Sequence, residues 1–377
     1  MKKLFVLILA VVVVLSLSAC KGSDNSNAPA AQPPSGNPTP VQSATPENDY
    51  PETHLTLSSE WAAGYSFESE VIEPLQKLLD EATGGKLIID YFPAATLTTS
   101  AEAMDAVSSG IVDMAMFPTA YATGQLPITF LVEYPQEFKS SKAASFAMRD
   151  WLDELNPEEY QTAGVTRLMC TTTGLAVIAH NANHSITKMD DFKGLQIRGN
   201  AIMQKAVNAW GGTGVTVAMP DTYESIRSGI IDGSIAGADA ISSFKWTEIT
   251  SHATKLTVFN ASFLLIIGND KLASLPDEWQ VILKDACNQV FEESGCNFQE
   301  RHGDLTFIDY EERGITVDSF SDEETKKLSD ATAPMFDDYA TELDSMGYDG
   351  EGALKLLREK ASKYNELYPD IENPYFK

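Results

Sequence analysis

Few residues in this chain are spaced for chemistry. His180 and His184 stand four apart, the interval at which two imidazoles on one helix face would share a metal ion. The run between them, His180-Asn181-Ala182-Asn183-His184, carries two asparagines and favours a turn over a helix. No metal site and no cofactor are expected. The four cysteines are Cys20, Cys170, Cys287 and Cys296, the last two nine apart in a stretch that reads as helix. Nine residues make about 2.5 turns and separate the thiols by about 13 Å along the axis, on opposite faces, whereas a disulfide needs its Cα atoms within about 7 Å. Buried free thiols, or a bond from Cys170 to one of the other two, stay open. There is no CxxC, HExxH, GxSxG, Walker loop or GxGxxG. Nothing pairs a nucleophile with a base, so an enzyme, a lipid-anchored extracytoplasmic hydrolase or isomerase, is the weakest of the readings.

Charge narrows the partners. The 377 residues include 54 Asp and Glu against 27 Lys and Arg, a formal net charge of −27. A nucleic-acid or anionic-membrane surface needs a basic patch, and no Lys/Arg cluster follows Lys3. The N-terminus carries an address instead. Met1-Lys2-Lys3 precedes an apolar run from Leu4 to Leu17, interrupted only by Ser16; this is short of the roughly 20 residues that span a bilayer and fits an export signal. It ends in Leu17-Ser18-Ala19-Cys20, which resembles a bacterial lipobox and implies a signal at 1–19, cleavage, and lipid on Cys20. Residues 20–50 then form a Pro-rich stretch with no aromatic before Tyr50, too polar to offset its ordering entropy and so expected to be a disordered tether. Together these predict an extracytoplasmic domain held at the cell membrane by its lipid.

The elements that must position any site alternate. His54 to Ser59 reads as a strand. Phe67 to Thr83 has helical spacing and stops at Gly84-Gly85, and Lys86 to Phe92 is a second strand. Ser100 to Ser109 is expected to be a helix capped by Ser100, and Ile111 to Phe117 a buried strand. The order β-α-β-α-β points to a mainly parallel sheet. A similar order follows. Strand-like runs fill Thr166 to His180, Leu195 to Arg198 is a short strand, and Asn200 to Trp210 a helix. Val215 to Ala218 is a strand, and Asp221 and Glu224 have capping-box spacing for a helix to Ser228. Ser109-Gly110-Ile111-Val112-Asp113 recurs as Ser228-Gly229-Ile230-Ile231-Asp232, each time with the Gly after a helix and the apolar pair opening a strand. The fold class is therefore α/β, with two similar lobes around a ligand cleft in the manner of a periplasmic binding protein. Residues 51–165 form mainly lobe 1 and 166–270 mainly lobe 2 with a crossover back. Residues 271–377 supply a long helix spanning the lobes, from Ser274 to about Arg313, and further helices, one capped by Ser321 and Glu324 and running to about Met346.

One passage resembles a known family. Asp191-Phe192-Lys193-Gly194-Leu195-Gln196-Ile197-Arg198, then Gly212 to Met219-Pro220, then Tyr223 to Asp232-Gly233 is similar to the solute-binding proteins of TRAP transporters, the C4-dicarboxylate-type, DctP-like family. Leu272 to Gln280 is similar to the opening of that family's long C-terminal helix. The resemblance covers about residues 54–345. It implies two α/β lobes that clamp an organic acid and hand it to integral-membrane permease subunits, and it implies that Arg198 pairs with the ligand carboxylate. A guanidinium supports that role, because its planar fork matches a carboxylate and is charged at any relevant pH.

Loop positions after strands supply the other cleft candidates: Trp61, Phe117, Tyr121, Thr173 with its neighbours Thr171 and Thr172, Ala236, Asp239 and Phe263. The family's sugar-acid and dicarboxylate binders often carry an amide near Asp-Gly-x-x-Asn-Pro, where this chain reads Asp232-Gly233-Ser234-Ile235-Ala236-Gly237. With Ala236 beside Trp61, Phe117 and Phe263, an apolar monocarboxylate, aromatic or a branched oxo-acid, fits better than a hydroxylated sugar acid. A subunit that presents the bound acid to a membrane receptor is the alternative to permease delivery.

Overall fold

The computed structural model describes residues 50–369, apart from 135–137, 175 and 258–260. The export signal, Cys20 and nearly all of the tether lie outside the described residues. Among the described residues, eleven strands fall into two sheets. In chain order they are β1 (Thr53–Ser59), β2 (Leu87–Phe92), β3 (Met114–Pro118), β4 (Val165–Thr172), β5 (Ala176–His180) and β6 (Gln196–Arg198), then β7 (Thr213–Val215), β8 (Gly233–Gly237), β9 (His252–Leu256), β10 (Ser262–Gly268) and β11 (Val317–Ser319). The first sheet has the order β2-β1-β3-β10-β4 and the second β11-β9-β5-β8-β6-β7. Two α/β lobes result, and the chain passes between them after Thr172, not at 166, and returns between β9 and β10.

Each lobe is built on parallel strands joined through helices, completed by antiparallel strands from the crossovers. β1 pairs in parallel with β2 and β3, and β6 in parallel with β7 and β8. β10 runs antiparallel between β3 and β4. Its seven residues are all buried, which is why Phe263 to Ile267 is an unbroken apolar run rather than an alternating one. Each such aliphatic side chain taken fully out of water contributes about 1.5–3 kcal/mol. Helix Glu73–Thr83 lays Leu75 and Leu79 on the first sheet and ends in Gly84 at φ 66°, whose N–H reaches the Asp80 carbonyl; that left-handed turn is the stop the sequence foretold.

The repeated five-residue phrase is one structural device used twice. Gly110 and Gly229 sit at φ 75° and 71°. Ile111 and Ile230 are exposed, whereas Val112 and Ile231 are buried. The Asp113 carboxylate accepts from the Thr56 backbone N–H at 2.8 Å, and Asp232 accepts from that of Gln196 at 2.7 Å. Each acid thus ties its own strand to the neighbouring parallel strand. The apolar pair does not open a strand, since β3 begins at Met114 and β8 at Gly233.

Several boundaries differ from expectation. The helix at Ala103–Ser108 has no side-chain cap, and the Ser100 hydroxyl donates to Glu60 instead. Asp221 makes no capping bond, and the strand expected at Val215 to Ala218 is β7, Thr213–Val215. The long helix expected from Ser274 to Arg313 is interrupted. Asp277–Val290 passes into a π turn at Phe291–Gly295, then Phe298–Arg301 and Asp304–Glu312 follow as separate pieces. The expected helix from Ser321 to Met346 is two, Asp322–Thr332 and Pro334–Ser345; Pro334, lacking an N–H, starts the second. Ser321 caps the first by accepting from the Glu324 N–H. Cys170, Cys287 and Cys296 are buried thiols outside any disulfide. His180 and His184 do not meet over a metal: His180 stacks on His252 with ring centroids 5.2 Å apart, and His184 contacts Asn183 and the Asp191 carbonyl. No helix among the described residues is long and apolar enough to cross a membrane.

Candidate ligand-binding site

The carboxyl ends of the parallel strands from both sheets converge on one cavity of about 290 Å³, close to the lower bound of roughly 300 Å³ for small-molecule sites. Lobe 1 contributes Glu60 and Trp61 just past β1, and Pro118, Ala120 and Tyr121 at the end of β3. Lobe 2 contributes Arg198 at the end of β6 and Ile235, Ala236 and Gly237 on β8. This is the position at which open α/β sheets bind ligands.

Among the described residues, Arg198 is the sole Lys or Arg lining the cavity. Its Nε donates to the Val217 carbonyl at 2.9 Å, which fixes the guanidinium plane and leaves its other N–H groups for Tyr121 and the cavity. Burial disfavours its charge, opposed by the nearby Tyr121 and Glu60. The chain turns sharply behind it. A Cβ on Gly199 would lie 2.3 Å from the Met203 Cβ, so only glycine fits. Asn200 then caps helix Ala201–Ala209 by accepting from the Met203 N–H. Gly199, Asn200 and Ala201 all line the cavity, so the helix presents its N-terminal, partially positive end there. A buried guanidinium and a helix N-terminus on one wall favour a bound carboxylate.

The opposite wall is aromatic. Trp61 stacks on Tyr65 at 4.9 Å and lies 5.1 Å from Phe263. Trp61 and Phe263 face the cavity, with Phe244, Met203, Met219 and Val217 completing an apolar surround. Thr173 also lines it, its hydroxyl accepting from the Ala261 N–H at 3.1 Å.

Of the residues singled out from sequence, Arg198, Trp61, Tyr121, Thr173, Ala236 and Phe263 come together here. Thr171, Thr172, Phe117 and Asp239 do not line it. Phe117 is 1% exposed within β3, pairing with Leu264, because successive strand residues point to opposite faces. Asp239 lies behind the wall, its carboxylate accepting from the Tyr65 hydroxyl. Asn200, Gln204 and Gln299 also line the cavity and were missed. Gln299 sits in the interrupted C-terminal helix, with no sequence signal for its location. Glu60 was missed although it adjoins Trp61, and the end of a strand was signal enough.

Comparison with known proteins agrees with this architecture. The family model for bacterial extracellular solute-binding protein, family 7, matches residues 57–342. The C4-dicarboxylate-binding periplasmic protein DctP of Rhodobacter capsulatus is 22% identical over 56% of this chain, a match spanning 64% of that protein. The 2,3-diketo-L-gulonate-binding periplasmic protein YiaO of Escherichia coli is 24% identical over 67% of this chain and 77% of its own length. Among solved structures, a TRAP solute-binding protein from Rhodoferax ferrireducens in complex with copurified benzoate superposes with a TM-score of 0.78 at 18% identity, over 84% of this chain and 99% of that one. A Bordetella bronchiseptica TRAP periplasmic protein with bound mandelate gives 0.73 at 23% identity, over 82% and 99%. All of these are described as solute-binding proteins. With a family match reaching across both lobes and the fold of the TRAP solute-binding proteins throughout, the chain belongs to bacterial extracellular solute-binding protein family 7.

Proposed function

We propose that this protein captures a small organic acid outside the cytoplasmic membrane, in the cleft between its lobes, and delivers it to TRAP-type permease subunits. The observation that carries the reading is the pairing of one buried, plane-locked arginine with an otherwise largely apolar cavity. In a water-poor site a bidentate guanidinium–carboxylate pair both orients and selects. Arg198 holds the acid; Trp61, Tyr121, Phe263, Thr173 and Ala236 shape the space for its body. The apolar walls and the alanine at 236 favour a monocarboxylate with an aromatic or branched body. Closure follows from contact with both lobes, since only a ligand that binds the closed state better shifts the population toward it. The lipobox-like sequence ending in Cys20 would keep the domain at the membrane by its lipid, near the permease.

The test is native mass spectrometry of the protein purified without added ligand, with chemical identification of anything released. A carboxylic acid is expected in the wild type and absent from Arg198→Ala, whose affinity for the same acid should fall by about 2–5 kcal/mol through the unpaired charge. Unchanged binding by that variant would overturn the assignment.

A further inference from the structure

The cavity holds two charged side chains of opposite sign, and each belongs to a different lobe. Arg198 ends β6 of lobe 2; Glu60 follows β1 of lobe 1. An acid is an unexpected lining for a site that takes acids, yet Glu60 is built in. The Ser100 hydroxyl donates to its Oε2 at 2.7 Å. The backbone on either side is pinned by the loop after β2, where the Ala95 N–H reaches the Ser59 carbonyl at 2.8 Å and the Ala94 N–H reaches the Trp61 carbonyl at 2.6 Å. Burial pushes the carboxyl up, opposed by Ser100 and by the charge of Arg198.

Charge balance then constrains the ligand. Without ligand, Glu60 and Arg198 offset one another. With Glu60 ionised, a simple carboxylate seated on Arg198 leaves one negative charge in excess, which costs either that charge in a water-poor cleft or a proton taken up by Glu60. A ligand that brings a cationic N–H group together with its carboxylate restores neutrality and gives each lobe one pole to hold. We infer that the ligand is a zwitterionic amino acid with an apolar side chain, its carboxylate on Arg198 and its ammonium on Glu60. This rests on the organic-acid reading above and deepens it. It also gives closure a physical basis. The ammonium contacts lobe 1 and the carboxylate contacts lobe 2, so the closed form gains both contacts at once. The aromatic and aliphatic walls accept the side chain.

The experiment is titration calorimetry of the purified, unfolded-and-refolded protein, which frees the cleft of carried-over ligand. The probes are the apolar L- and D-amino acids and their deamino counterparts, for example phenylalanine against 3-phenylpropionate and leucine against 4-methylpentanoate. At least one amino acid is expected to bind ten-fold or more tighter than its deamino partner. Glu60→Gln should cut the preference for that amino acid over its deamino partner at least ten-fold, and Arg198→Ala should lose both. Deamino acids that bind as tightly as the amino acids, or with uptake of a proton at Glu60, would overturn this inference and leave the organic-acid reading standing. Binding by neither series would overturn the zwitterion, and failure of a wider panel of organic acids would overturn the parent reading as well.

Discussion

At the scale of single residues, Arg198 was singled out by the resemblance of its strand to a known family, since an isolated arginine carries no signal of its own; in the structure it stands in a local arrangement at the cavity. A short strand, a glycine and a helix cap follow one another in sequence, and the side chain at the strand end has one direction to take. Gly199 is the hinge of that arrangement. Any Cβ there would fall 2.3 Å from that of Met203, so Gly199→Ala must push the cap of helix Ala201–Ala209 away from β6. A stability loss of about 1–3 kcal/mol is expected, with weaker binding of whatever ligand the wild type retains, because the Arg198 plane moves with the turn. Denaturant melts and a binding titration check both; a variant matching wild type in each would show that the turn has slack. Phe117 and Asp239 mark where residue-level reading ends. Both follow or end strands as the cleft residues do. Strand parity turns Phe117 into the core, and Tyr65, distant in sequence, claims Asp239.

At the scale of elements, the sequence disclosed the alternating strands and helices that open each lobe, since helix stops at Gly84, Gly110 and Gly229 are written in left-handed glycines, but not the helix Ser141–Leu155 or the strand His252–Leu256. It did not disclose the break in the long C-terminal helix. No proline falls between Asp277 and Glu312. Its π turn forms where Gly295 packs against Met169 from β4, with the sulfur 3.1 Å from where a Cβ would be, a contact set by tertiary structure. The repeat carries its own prediction. Asp113 and Asp232 each accept a backbone N–H of the adjacent parallel strand, so Asp232→Ala should cost about 1–2 kcal/mol by orphaning that donor. Asp113→Ala should cost more, since it also loses the Thr56 hydroxyl at 3.0 Å and the Lys271 ammonium at 3.1 Å. Urea unfolding of the two variants decides it; if both stay within 0.5 kcal/mol of wild type, the shared phrase has no shared structural role.

At the scale of the whole molecule, two buried groups make stability depend on pH in opposite directions. Asp239 of lobe 2 holds the Tyr65 hydroxyl of lobe 1, and burial pushes its carboxyl up to about 6. The folded state therefore binds its proton more tightly than the unfolded chain. The Asp239 carboxyl favours folding fully below the unfolded value near 3.9, and this support is lost as pH rises through 6. His180, buried against His252, is pulled down to about 3, chiefly by burial. It stays neutral in the fold while the unfolded chain takes up a proton below about 6.5, so it destabilises as pH falls from 6.5 toward 3. Each shift corresponds to roughly 3 kcal/mol across pH 4–7. The comparison of variant with wild type isolates them from the other buried acids, Glu133 and Glu159, whose carboxyls burial also raises. Asp239→Asn keeps an acceptor for Tyr65 and should be more stable than wild type at pH 7, by up to about 3 kcal/mol, with the advantage gone by pH 4. His180→Gln should show the reverse trend, its stability relative to wild type rising as the solution is acidified. Thermal melts at half-unit steps from pH 7.5 to 4 measure both differences. Variant and wild-type curves that run parallel would mean that neither group changes its proton affinity on folding. The Tyr65–Asp239 contact would then be an ordinary hydrogen bond between the lobes, with no bearing on how acidity affects stability.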